Sequence, residues 1–165
     1  MQHYYRSFHN AAVQGGISPA ECEWFVQRTT IRHIPSGFTI IQADEEVNHA
    51  YYCVQGLFRL YYALRDGKDF NVAFTMEDDY ATSYGAMVTG SKSLFSIEAL
   101  EDSVVIEIPY DTLKLLMDRS HMWERFIRRA VERLYIRKEE REKELLCLSA
   151  CGRKFGIRSR IQKDI

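Results

Sequence analysis

The chain has 165 residues, 46% hydrophobic and 27% charged, with 22 Lys and Arg against 23 Asp and Glu. That length suits one domain with a real core plus a short appendage, and a net charge of −1 excludes a uniformly basic nucleic-acid binder while leaving room for a local basic patch. No run reaches the roughly eighteen apolar residues of a membrane-spanning helix. The N-terminus MQHYYRSFHN also lacks the apolar centre of a signal peptide, so a cytoplasmic protein without a membrane partner is expected.

Residues 1–17 form an aromatic, His-containing N-terminal arm ending in Gly15-Gly16, a pair that weakens any continuous helix. Ser18-Pro19-Ala20-Glu21 is a helix start, with Ser18 as the capping residue, Pro19 at the first helical position and Glu21 reaching back. Trp24, Phe25 and Cys22 supply the side of that helix predicted to be buried. Thr30-Ile31-Arg32-His33-Ile34 is rich enough in β-branched residues to be a first strand, and Pro35-Ser36-Gly37 turns the chain into Phe38-Thr39-Ile40-Ile41.

From His49 to Ile108 the sequence is a series of short Val-, Ile-, Tyr- and Phe-rich runs cut by Gly, Asp and Ser. That pattern predicts an antiparallel sandwich or barrel. Phe58, Leu60, Tyr62 and Leu64 fall on one strand face with Arg59, Ala63 and Arg65 on the other, and Phe70, Val72, Phe74 and Met76 repeat the period of two. Asp66-Gly67 suits a tight hairpin, and Gly56 interrupts a strand as a bulge or bend does.

The series His49-x-x-Tyr52-x-Val54-x-Gly56-x-x-Arg59, the Asp66-Gly67-Lys68 hairpin, Asp79-Tyr80, and Ile97-Glu98-Ala99-Leu100 leading to Val105-Ile106-Glu107-Ile108-Pro109-Tyr110 follow one another without gaps. Together they resemble the cyclic-nucleotide-binding roll of Crp/Fnr-type bacterial transcriptional regulators, over residues 18 to 150. The resemblance implies a mainly β fold with flanking helices, a double-stranded β-helix or jelly roll, followed by a long C-terminal dimerisation helix. It divides the chain into an arm (1–17), a roll (18–118), a dimerisation helix (119–150) and a basic tail (151–165) where a winged helix-turn-helix domain would begin.

In cyclic-nucleotide-binding members of that family a short helix and loop between two strands hold the ligand. A Gly-Glu start serves the ribose and an Arg-Ser-Ala segment pairs with the cyclic phosphate. Counting back from Pro109-Tyr110, the first pair falls on Thr82-Ser83 and the triplet on Ser93-Leu94-Phe95, so the arginine and the glutamate are both absent. Loss of the guanidinium removes a bidentate contact of roughly 1.5–3 kcal/mol. The implied ligand-binding set is Thr82, Ser83, Tyr84, Lys92, Ser93 and Leu94, with Arg59 and Lys138 as further cations that could turn in. No cofactor is fixed by the sequence. The effector is a cyclic nucleotide or, given the missing pair, another small molecule.

Asp111 is expected to cap a short helix over Thr112 to Met117, and a much longer helical pattern runs from Ser120 to Leu148. Ile127, Val131, Leu134, Lys138, Arg141, Leu145 and Leu148 follow alternating steps of four and three, the seam of a left-handed coiled coil. Ile127, Val131, Leu134, Leu145 and Leu148 are thus the expected interface of a homodimer. The tail CGRKFGIRSRIQKDI is too short for a helix-turn-helix, so DNA would be met only through a domain that this chain does not carry.

Cysteines at 22, 53, 147 and 151 lack metal-site spacing and are expected to be structural thiols. His33 and His49 have no nucleophile beside them, and with Glu98 are too scattered for a cupin-like metalloenzyme. No enzyme and no metal is therefore expected. A ligand-free dimeric interaction protein is the remaining alternative.

Overall fold

The structure is a computed structural model that describes residues 2–64 and 66–150, with side chains from residue 3 to residue 147. Two compact units result, one ending at Phe126 and the other beginning at Ile127. In the first, eight strands among the described residues build two antiparallel sheets. One has the order β1 (Thr30–Ile34), β8 (Ser103–Pro109), β3 (His49–Gln55), β6 (Tyr80–Ala81). The other runs β2 (Thr39–Ile41), β7 (Ser96–Ala99), β4 (Phe58–Ala63), β5 (Asp69–Thr75). This is the expected roll.

Its core lies between the sheets, where Ile34 and Cys53 of one meet Phe58 and Ile97 of the other. The first sheet is buried on both faces at its centre. Ala50 to Cys53 of β3 and Val104 to Ile106 of β8 are buried without a break, which is why those segments read as continuous apolar runs. Tyr52 and Ile106 are register partners and so share a face. On that face Phe8 meets Tyr52 edge-on at 5.2 Å and stacks on Phe25 at 4.3 Å, while Phe25 stacks on Trp123 at 5.6 Å.

Those aromatic rings come from the helices. The arm is a 3₁₀ turn (Gln2–Tyr5) and α1 (Arg6–Gln14), stopped at Gly15 and Gly16, and it buries Phe8 and Ala12. α2 (Pro19–Val26) begins with the expected reciprocal cap: the Glu21 amide donates to Ser18 Oγ at 3.3 Å, and the Ser18 amide donates to the Glu21 carboxylate at 3.2 Å. Cys22 and Phe25 are its buried residues. Trp24 departs from expectation: it stays half-buried, with the Arg28 guanidinium 3.8 Å and that of Arg119 5.3 Å from its ring centroid. Two cations over its ring faces give the indole a favourable surface environment.

α4 (Tyr110–Arg119) starts two residues before the expected helix. Pro109 occupies the capping position without a side-chain bond, and Asp111, expected as the cap, sits in the first turn paired with Lys114 at 2.7 Å. α5 (His121–Ala150) is the expected long helix. Within the second unit Ile127, Val131, Leu134, Arg141 and Leu145 are partly exposed and Lys138 is exposed. Tyr135, Ile136 and Leu146, off the predicted seam, are strongly exposed. The side chain of Leu148 and residues 151–165 lie outside the described residues.

Gly56 follows β3 with φ at 116°, and a Cβ there would stand 2.0 Å from Ser103 Oγ. Gly37 also has positive φ, at 79°, but nothing lies within 4 Å of its missing Cβ. Gly56→Ala should therefore cost about 2–4 kcal/mol, strain and overpacking together, and Gly37→Ala about 1 kcal/mol. Urea unfolding of the two variants checks this; equal losses would contradict the close approach to Ser103.

Candidate functional site

The segment singled out by sequence lies between β6 and β7. α3 (Tyr84–Thr89) turns Ala86 and Met87 into the core and leaves Val88 outside. Gly90, in the left-handed conformation at φ 68°, ends the helix, and the chain crosses to β7 through residues 91–95. That loop is clamped to the turn after β2: the Asp44 amide donates to the Ser93 carbonyl at 2.8 Å, and the Ser93 amide to the Glu45 carbonyl at 2.9 Å.

The expected site residues fall into groups. Ser83 is buried just ahead of α3, and its carbonyl accepts from the Met87 amide at 3.0 Å. Thr82, half-buried, donates through Oγ1 to the His49 carbonyl at 3.3 Å. Tyr84 packs against the core, and burial pushes its hydroxyl pKa up, with Tyr110 adding to the effect. Ser93 is fully buried, its hydroxyl donating to the Phe95 carbonyl at 2.7 Å and accepting from the Phe95 amide at 3.4 Å. Lys92 and Leu94, its neighbours, are exposed, Leu94 by 77%. The hydroxyls of Thr82 and Ser93 thus serve their own backbone, and the nearby ammonium is at the surface. Lys138 belongs to the second unit.

Arg59 does not turn in. Phe58 is in the core and Leu60 packs against it, so strand alternation puts Arg59 on the outer face of the second sheet. There its guanidinium donates to Glu98 at 3.1 Å and Asp69 at 2.9 Å and lies 4.2 Å from the Tyr61 ring centroid. Burial opposes its charge, and the bonds to the two carboxylates more than offset that, holding its pKa above the usual arginine value. Sequence reading named Arg59 without these partners. Glu98 is directly opposite Arg59 in the β4–β7 register, a non-local pairing that the local sequence does not display.

The regular alternation expected of β5 is interrupted. Leu60 pairs with Ala73 but Tyr61 pairs with Asn71, so Val72 is an inserted residue, a bulge. Beyond it the faces exchange. Phe74 is opposite Arg59 and belongs to the outer face, whereas Phe70 is opposite Tyr62. The Tyr62 ring meets Phe95 edge-on at 6.1 Å, and Phe95 packs against the core, which identifies the face carrying Tyr62 and Phe70 as the inner one. The expectation that Phe70, Val72, Phe74 and Met76 share a face is thereby corrected. Tyr62 and Phe70, 38% and 43% exposed, are inner-face residues the sequence reading left out of the site.

Two of the four cysteines, Cys22 and Cys53, are buried free thiols, and Cys147 is exposed. Burial, helped by carboxylates led by Glu77, pushes the Cys53 thiol up to about 12. Among the described residues no three His, Cys, Asp or Glu side chains gather as a metal site, and no helix is long and apolar enough to cross a membrane.

The family model described as "Cyclic nucleotide-binding domain" matches residues 31–120, from β1 to the end of α4. A curated relative, the cAMP-activated global transcriptional regulator CRP of Pasteurella multocida, is 26% identical over 95 residues. The match takes in 58% of this chain and 46% of the relative, so the chain spans about half the length of the curated protein it matches. Among solved structures, the Thermus thermophilus catabolite activator protein superposes with a TM-score of 0.65 at 18% identity, over 81% of this chain and 62% of that one. The sensor domain of the transcriptional regulator DNR from Pseudomonas aeruginosa gives 0.59 at 10% identity, over 94% and 97%. Both establish the roll as a shared fold.

Replacing Ser93 by Ala should cost about 1–2 kcal/mol, because it deprives the Phe95 carbonyl of the donor that the buried hydroxyl supplies. Urea unfolding would reveal it; a loss under about 0.3 kcal/mol would mean the Ser93 hydroxyl does not hold the loop.

Proposed function

We propose, because this chain belongs to the cyclic nucleotide-binding domain family, that it is the ligand-sensing and dimerisation module of a Crp/Fnr-type transcriptional regulator. In this reading residues 18–118 are the sensor, residues 119–150 the dimerisation helix, and DNA is met by a helix-turn-helix domain outside the residues described here. The observation that carries the sensor role is the placement of α3. Its Ala86 and Met87 are part of the roll core while its Val88 face and the following loop are open, so a small molecule held against Ser83, Tyr84 and the 91–95 loop presses directly on core packing.

The dimerisation role rests on the second unit considered by itself. A helix with Ile127, Val131, Leu134 and Leu145 at alternating steps of four and three needs a matching stripe to cover them, and an identical helix supplies one. Lys138 and Arg141 break the stripe. Arg141 keeps its charge 3.7 Å from Glu144 and Lys138 is exposed, so neither charge need be buried in the seam.

Glu substituted at both Val131 and Leu134 puts like charges into that seam. Light scattering at micromolar protein should then give the mass of one chain for the variant and of two for the parent. Equal masses would remove the long helix from the dimer interface.

A further inference from the structure

The inner face beyond the β5 bulge carries more than the fold requires. Tyr62 and Phe70 are direct register partners there, and Phe95 of the loop after α3 meets Tyr62 edge-on at 6.1 Å. A roll closed for packing alone would bury these rings, yet Tyr62 is 38% and Phe70 43% exposed, and Leu94 beside Phe95 is 77% exposed. Hairpin and loop meet where Tyr62 and Phe95 stand edge to face, and beside that contact ring surface of Tyr62 and Phe70 and the Leu94 side chain are exposed.

The charges around them are placed elsewhere. Among the described residues of the hairpin and the loop the cations are Arg59, Lys68 and Lys92. Arg59 is on the outer face with Glu98 and Asp69, Lys68 is at the hairpin turn 3.4 Å from Asp66, and Lys92 is at the surface with its buried neighbour Ser93 pointing the other way. The Ser93 hydroxyl already donates to Phe95, and that of Thr82 to His49. Among the described residues of hairpin and loop, an anion beside these rings would find no cation facing it, and weak neutral donors do not offset its desolvation. An uncharged aromatic or apolar molecule would gain ring contacts and lose little.

We infer that the effector of this sensor is an uncharged molecule with a planar apolar part, held against the exposed rings of Tyr62 and Phe70 of the β4–β5 hairpin beside Phe95 of the α3–β7 loop, and that cyclic nucleotides are not its ligands. This rests on the sensor reading above and specifies its ligand class. The bulge supplies an internal control, since Phe70 and Phe74 are exposed phenylalanines of one strand on opposite faces.

The test uses the whole chain and the neutral fluorescent dye N-phenyl-1-naphthylamine, with calorimetry of cyclic AMP and cyclic GMP in parallel. Expected are saturable dye binding, weakened about tenfold or more by Phe70→Ser and by Tyr62→Ser but less than about twofold by Phe74→Ser, and no cyclic nucleotide binding tighter than about 10 μM. Circular dichroism confirms that each variant is folded, and the two inner-face variants stand in for one another if either is not. Dye binding indifferent to Tyr62 and Phe70, or equally dependent on Phe74, overturns the assignment of the face. Tight binding of either nucleotide overturns the ligand class and leaves the sensor reading intact. Absence of binding by dye and nucleotides alike overturns both.

Discussion

Everything in the first unit hangs on the pairing of β3 with β8, the two strands buried on both faces. Their inner side chains, Cys53 and Val105 among them, meet the second sheet, and their outer ones, Tyr52 and Ile106, lie under helices. A strand pair in that position has no solvent face and cannot slip by one residue without trading its two apolar environments. It holds β1 and β6 at its flanks in a fixed register. The second sheet has the opposite character, with Arg59, Tyr61 and Glu98 open on its outer side, and it is there that the chain departs from regularity.

That departure has one cause. The extra residue at Val72 reverses which of the β5 side chains look inward, and so separates two phenylalanines that the sequence presents as equivalent. It also puts Asp69 on the outer face, where it joins Glu98 in holding Arg59. With the guanidinium held by Glu98 and Asp69 outside, the aromatic inner rim is left without a positive charge among its described neighbours. The electrostatics of the candidate site therefore follow from strand parity, before any ligand is considered.

What could be read from the sequence was local. The Ser18 to Glu21 cap lies within one turn and is written in four residues; Gly56 announces a backbone that a Cβ would obstruct. The order of strands and the long helix follow from hydrophobic periods of two and 3.5, and the β8–α4 junction was misplaced by only two residues because Pro109 and Asp111 both suit a helix start. The misreadings were non-local. No glycine marks the bulge at Val72, since its position is set by pairing with β4. Trp24 and Phe25 are adjacent aromatic residues, and only the tertiary neighbours Phe8 and Trp123 on one side and Arg119 on the other determine which is buried. Of the candidate site, the α3 segment was legible by position, while the partners of Arg59 and the inward rings were not.

The aromatic stack of Phe8, Phe25 and Trp123 joins the beginning of the first unit to its end. Such a contact closes one of the longest loops in the unit, and its entropic cost is smaller once the strands between have shortened the path. α1 seals the outer face over Tyr52 through Phe8, which also stacks on Phe25 of α2. Without it Phe25, Tyr52 and Trp123 would present an open aromatic surface, so the outer face of the first sheet is covered by rings drawn from both ends of the unit.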